Sequence, residues 1–273
     1  MTAYQSKEFG VTLTDNAGHG VITPPDLPLE KKTFSQKFSV SLNPTKPTFV
    51  SLRDRSWDRT PIQIKSEQSG VNVKVGREIL LFGDFEDQDA DNSKSSRTWR
   101  YPGKYGKLTN SDVHSGRRAL SIQHTAAGST AEIRFDHKVK HRSRRLLTLA
   151  GYVKTKNAGR IRGELRFWKT NRKEAPDRLS FEIDEGTHDW KLFHMDFKLP
   201  KGYHHFVPYF YVDPPTEGKG EVIFDDVAVV CWEPRAGNLK DGVTLKWGNR
   251  NDYLRLESNN AQVVDLVVVN SSY

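Results

Sequence analysis

The segment RIRGELRFWKT, Arg160–Thr170, holds the side chains best suited to chemistry with a polar ligand. Read with a strand's period of two, Gly163, Leu165 and Phe167 share one face, while Arg162, Glu164, Arg166 and Trp168 share the other. A tryptophan alternating with two arginines and a glutamate does not pattern as core. A sugar ring offers apolar C–H faces and many hydroxyls, so a sugar binder needs flat aromatic platforms and planar groups that make paired hydrogen bonds. FVPYFYV, Phe206–Val212, adds Tyr209 and Tyr211 on one face, and LAGYVKT, Leu149–Thr155, adds Tyr152 and Lys154. As neighbours in one sheet these strands would form an open aromatic and basic face, walled by Trp99, Tyr101 and Tyr105 of the preceding loop. The competing expectation is that the aromatics pack beneath the flanking chain or another subunit.

A second chemical signal is VIFDDVAVV, Val222–Val230, with two aspartates inside an apolar run. Alternation puts Ile223, Asp225, Val227 and Val229 on one face and Phe224, Asp226, Ala228 and Val230 on the other. One aspartate must then share a side with branched apolar residues. A buried carboxylate persists only when it is paired, hydrogen-bonded or bound to metal. Its candidate partners are a cation, Arg117 or Arg118, or the backbone amides of the GDFE turn at Gly83–Glu86. EDQDADN, Glu86–Asn92, is also acidic, but it lacks the glycine and terminal glutamate of an EF-hand loop and reads as a solvated loop.

The remaining motif classes narrow the field. There is no G-x-S-x-G elbow, no H-E-x-x-H and no glycine-rich phosphate loop, so an enzyme is not expected. Cys231 is the one cysteine, which rules out a disulfide within the chain, and its apolar strand-end setting reads as packing. The net charge of +8 and pI near 9.4 favour an anionic partner: acidic polysaccharide, nucleic acid or an acidic protein. KVKHRSRR, Lys138–Arg145, reads as a solvated turn, and no aromatic interrupts it, which disfavours nucleic acid. No apolar run approaches the roughly 20 residues of a membrane span, and the first residues lack a signal-peptide pattern.

The elements that must position these groups are strands. The chain has 273 residues with 36% hydrophobic and 11% aromatic content, enough for one large β domain or two modest ones. Period-two stretches separated by turn-rich clusters recur from Phe34–Leu42 to Glu221–Trp232, and no segment carries a helical period. Residues 1–33, with TPPDLPLEKK, read as an extended N-terminal arm. Residues 34–77 and 234–273 are short β segments, each too small to bury a core alone, so they are expected to pair into a second small domain. The block 78–233 lies between them.

That central block resembles the jelly-roll carbohydrate-binding modules of the xylan- and glucan-binding type, within the galactose-binding-like sandwich fold. The resemblance is carried by FGDFED (Phe82–Asp87), Trp99, HSGRRAL (His114–Leu120), LAGYVKT, HDWKLFHMDFKLP (His188–Pro200) and VIFDDVAVV, in that order. Phe82 departs from the family's usual asparagine. The resemblance implies an all-β jelly-roll sandwich with Trp190 as a packing tryptophan. It also implies a structural calcium ion held by Asp84 or Glu86 and Asp225 with backbone carbonyls near Ser115. The function it implies is non-catalytic binding of a polysaccharide, an acidic one given the charge, through Trp99, Tyr101, Tyr152, Arg162, Arg166, Trp168, Tyr209 and Tyr211. The alternative is a structural protein of a virion or other assembly, whose partner is another protein or further copies of itself. Either reading places the chain outside the cell or on a virion.

Overall fold

The computed structural model describes residues 10–14, 19–22, 34–53, 62–80, 83–86, 99–136, 138–141, 144–169, 177–233, 237–241, 243–245 and 252–270. Among these the regular elements are all strands apart from one 3-10 turn at Leu239–Asp241. The chain opens with β1 (Gly10–Thr14), β2 (His19–Ile22), β3 (Phe34–Leu42), β4 (Thr48–Arg53), β5 (Ile62–Lys65) and β6 (Val71–Glu78). Its middle holds β7 (Trp99–Arg100), β8 (Gly106–Thr109), β9 (Ala119–Thr125), β10 (Ala131–Phe135), β11 (Val139–Lys140) and β12 (Leu147–Ala158). Then come β13 (Ile161–Lys169), β14 (Asp177–Ile183), β15 (Gly186–Phe197), β16 (Tyr203–Val212) and β17 (Lys219–Trp232). β18 (Gly237–Asn238), β19 (Val243–Leu245), β20 (Asp252–Ser258) and β21 (Gln262–Asn270) close it.

Two compact units result, one from Met1–Glu78 with Val230–Tyr273 and the other from Ile79–Val229. In the first, β20 lies between β4 and β6, while β3 and β5 flank β21. Strands from the two ends of the chain thus alternate, and each supplies the ladder partners and apolar cover that the other lacks. The buried residues include Phe49, Val50, Val71, Val73, Leu254 and Leu256, and the Trp232 ring stacks on Phe49 at 5.9 Å. The expected extended arm is partly strand: β1 pairs with β4 and with β2, giving the β4 edge the partner an open edge demands. TPPDLPLEKK lies outside the described residues.

The second unit is an antiparallel β-sandwich of jelly-roll type. One sheet runs β15-β12-β17-β9-β8, and the other runs β14-β13-β16-β10-β7 with β11 also on β16. Phenylalanines from both sheets meet between them. Phe193 of β15 lies 5.5 Å from Phe210 of β16, which lies 5.1 Å from Phe224 of β17, and Phe197 lies 5.5 Å from Phe206. Aromatic pairs at these separations combine a large buried area with favourable edge and offset geometry, and they fix the spacing of the two sheets. Gly163, Leu165 and Phe167 of β13 point into this core. The opposite side of β13 is therefore turned outward.

Candidate functional site

Antiparallel register decides which outward residues of the second sheet share a row. Arg162 stands opposite Tyr211 on one side and Glu182 on the other, and Tyr211 stands opposite Glu132. Glu164 stands between Tyr209 and Ser180, Arg166 between Val207 and Arg178, and Trp168 beside His205. Directly opposed residues in a sheet lie close enough to interact, and here they do. The Tyr209 and Tyr211 rings are nearly parallel, 10° apart at 6.3 Å. The Arg166 guanidinium lies 3.9 Å over the Tyr209 ring and that of Arg162 lies 4.8 Å over the Tyr211 ring. Arg166 Nε donates to Glu164 at 2.5 Å, and its Nη2 donates to the Tyr211 hydroxyl. Burial pushes the Tyr211 phenol above its ordinary value, so near neutral pH it holds its proton.

The arginines that cover the row also bury what lies beneath them. Glu164 is 5% exposed and Tyr209 is 6% exposed although both belong to the outward face. Tyr211, Arg162, Arg166 and Trp168 stay half-exposed. Lys138 lies 4.2 Å over the Trp168 ring. Its neighbours Val139 and Lys140 pair with β16, so part of the KVKHRSRR run is strand and belongs to this face, not to a solvated turn. Arg178 and Glu182 join the face through register and Lys138 through its contact with the Trp168 ring, none of which a single sequence reveals.

Three of the expected ligand-binding residues lie elsewhere. Trp99 is 1% exposed, with ring contacts to Phe85, Phe135 and Phe210 at 6.2, 5.6 and 5.7 Å. In β7 it is Arg100, not Trp99, that faces outward, where its Nε meets Asp136 at 2.6 Å. Tyr152 belongs to the other sheet, buried and stacked 3.5 Å from the His114 ring. Tyr101 packs where any side chain at Gly106 would collide, at the start of β8 in that other sheet. Lys154, expected beside Tyr152, is held by Asp112 at 3.1 Å and Asp189 at 3.3 Å. Tyr105 bonds Ser129, and its phenol is lowered to about 8 by those hydrogen bonds. Trp190, expected in the core, is half-buried on the edge strand β15 and meets His114 edge-on at 5.6 Å.

The acidic residues form a different kind of centre. The β17–β9 ladder ends at Phe224 and Leu120. Beyond it the loop His114–Arg118 turns its amides toward carboxylates. Asp225 Oδ2 accepts from His114 N at 2.8 Å and Ser115 N at 3.1 Å, and Oδ1 accepts from Asp226 N at 2.7 Å. Glu86 Oε1 accepts from Arg117 N at 2.5 Å and Arg118 N at 2.9 Å. Asp226 takes His114 Nδ1 at 2.5 Å and the Ser115 hydroxyl at 2.8 Å. Its φ of 51° breaks strand alternation, so both aspartates are buried instead of one, at 0% and 7% exposure. Two glycines make the approach feasible. A Cβ at Gly83 would fall 1.5 Å from the Val227 carbonyl, and one at Gly116 would fall 2.3 Å from Glu86 Oε1, at a φ of +68°.

The expected calcium ion would have to share these carboxylates with amide donors. Calcium collects six to eight oxygens, whereas the loop at Ser115 presents N–H groups to Asp225 and Glu86, and the Ser115 hydroxyl is spent on Asp226. Asp84 sits half-buried in the adjoining turn. Among the described residues no cluster of three or more acidic, histidine or cysteine side chains could hold a metal. Among the described residues Asp225 accepts from the His114 and Ser115 amides of the HSG loop and from the Asp226 amide. Phe82 and the acidic run beyond Glu86 lie outside the described residues.

No protein-family model matches the chain, and no curated protein does. Among solved structures it is similar to the enzymatically active domain of bacteriophage CBA120 tailspike protein 4. The identity is 15% and the TM-score 0.44, over 56% of this chain and 21% of that one, so the match spans about a fifth of that domain's length. A family 16 carbohydrate-binding module matches with 12% identity and a TM-score of 0.41 over 55% of this chain and 98% of the module. TmCBM61, solved with beta-1,4-galactotriose, matches with 14% identity and a TM-score of 0.39 over 56% of this chain and 97% of that one. The solved structures it resembles are mostly carbohydrate-binding modules.

Proposed function

We propose that the outward face of the β14-β13-β16-β10 sheet binds a polysaccharide without turning it over. The observation that carries this reading is the set of half-exposed planar groups held in register on β13 and β16: Arg162, Trp168 and Tyr211. Tyrosine and tryptophan rings give a sugar's C–H face a rigid platform, and the guanidinium supplies donors for hydroxyls. Arg166 does not need a ligand for its donors, since it props Tyr211 and Glu164 in place. Arg162 and Trp168 are six positions apart on one strand, roughly 20 Å at a strand's rise. A ligand meeting both is an extended chain, not a single sugar.

A glycan array probed with the wild type and with Trp168→Ala tests the reading. Wild type is expected to retain at least one polysaccharide, the variant to lose most of that signal while melting at the same temperature, and reducing ends in the mixture to stay constant with time. Retention of no glycan by the wild type, or an undiminished signal from Trp168→Ala, removes this face as a glycan site.

A further inference from the structure

The cations of this face differ in how many of their donors are already engaged. Arg166 is spent on Glu164, the Tyr211 hydroxyl and the Tyr209 ring. Arg100 is held by Asp136, and Arg160 grips Glu182 with two bonds of 3.1 and 2.5 Å. Arg134 leans toward Glu132 at 3.6 Å and Arg178 toward Glu164 at 3.9 Å. Arg162 differs from all of these. Among the described residues its guanidinium makes no hydrogen bond or ion pair, and its Nε is buried with no acceptor. Its cross-strand neighbour Glu182 is the carboxylate that Arg160 occupies.

Burying an N–H without an acceptor is unfavourable. Here the group is also seated on an aromatic ring, its Cζ 4.8 Å from the Tyr211 centroid, a contact that favours keeping the cation at this position. A guanidinium fork matches the two oxygens of a planar oxyanion, and an amide or hydroxyl satisfies it less completely. The side chains that could supply such an oxyanion from within the face are Glu132, Glu164 and Glu182, and each is engaged by Arg134, Arg166 or Arg160.

We infer that Arg162 reads an oxyanion carried on the bound polysaccharide, a uronic-acid carboxylate or a sulfate ester, so that the face selects acidic over neutral chains. This rests on the glycan-binding reading above. A Trp168 platform would set the chain's position, and Arg162 would set its charge.

Affinity electrophoresis separates the two claims. The probes are polygalacturonate, its fully methyl-esterified form, dextran sulfate and dextran, run against wild type, Arg162→Gln, Arg162→Lys and Lys219→Gln. Lys219 is exposed on the other sheet, so its variant removes the same charge away from the face. Wild type is expected to favour an acidic chain over its neutral counterpart by roughly tenfold or more, the range of a buried charge-assisted contact. Arg162→Gln is expected to collapse that ratio to near unity, Arg162→Lys to restore only part of it, and Lys219→Gln to leave it unchanged. Collapse on polygalacturonate assigns the oxyanion to carboxylate, and collapse on dextran sulfate alone assigns it to sulfate. Equal losses in Arg162→Gln and Lys219→Gln would reduce the effect to net charge and overturn the inference. Retention of neutral and acidic chains alike by wild type also overturns it but keeps the glycan-binding reading. Retention of none overturns both.

Discussion

The acidic turn at Asp225 and Asp226 and the basic face around Arg162 both bring charge into the same sandwich, and they differ in how that charge is met. At the turn, both Asp225 oxygens and Glu86 Oε1 accept backbone amides, and Asp226 accepts a histidine and a serine. Those bonds satisfy a loop that leaves its ladder at Leu120. On the face, Arg162 keeps donors in hand while its neighbours are spent. Charge-assisted bonds to amides are strong enough to hold a loop, and a donor left open on a rigid platform is what a ligand uses. Residue type alone does not tell which cluster holds the fold and which is open to a ligand. Their hydrogen-bond accounts do.

The most severe way to probe the comparison is to remove a residue whose sequence context suggests ligand contact but whose position is core. Trp99→Ala should cost about 3–5 kcal/mol in urea unfolding, the range for deleting a buried large aromatic. Loss of glycan retention with a normal unfolding midpoint would return Trp99 to the site. Next is Asp225→Ala, which leaves the amides of His114, Ser115 and Asp226 without their acceptor. A buried donor left unsatisfied costs about 1–3 kcal/mol, so a total near 3 kcal/mol is expected after relaxation, with the melting temperature unmoved by calcium or by a chelator. A rise of several degrees on adding calcium would show that this centre holds a cation after all. Trp168→Ala is smaller and opposite in kind. Stability should stay within about 0.5 kcal/mol, as for most surface positions, while affinity for the retained glycan falls roughly tenfold, about 1.4 kcal/mol. Should the variant lose stability and keep its affinity, the two regions would exchange roles.

What the sequence disclosed follows from where alternation holds. The two sides of β13 were readable because nine residues of strand keep strict parity, with Gly163, Leu165 and Phe167 inward and Arg162, Arg166 and Trp168 outward. Trp99 was not, because β7 has two residues and a strand that short carries no period. Tyr152 has the right parity but the wrong sheet, since strand order is a tertiary property. At VIFDDVAVV, alternation foresaw one buried aspartate. The positive φ of Asp226 breaks that alternation within β17, and both are buried, which residue pattern alone does not announce. Glu164 was rightly turned outward, and its burial comes from arginines arriving from β13 itself and from β14.

The smallest effect concerns a buried polar group outside both clusters. His124 of β9 is buried, and its ring lies 4.3 Å from that of Tyr105. Burial holds its pKa below the ordinary value of 6.5, against the opposing pull of Asp213. A histidine whose folded value is depressed binds its proton more readily in the unfolded chain. The stability contributed by the neutral ring is therefore present above pH 6.5 and is lost as pH falls below it toward the folded value. The slope it adds cannot exceed about 1.4 kcal/mol per pH unit for one proton. His141, lowered by burial and by Arg145, contributes with the same sign. Melting temperatures at pH 7.5 and 5.0 should accordingly fall with acid in the wild type and fall less in His124→Gln, without the slope vanishing. Equal acid slopes in the two proteins would mean that His124 is already solvated in the folded state, and that its burial, unlike that of Asp225, holds nothing in place.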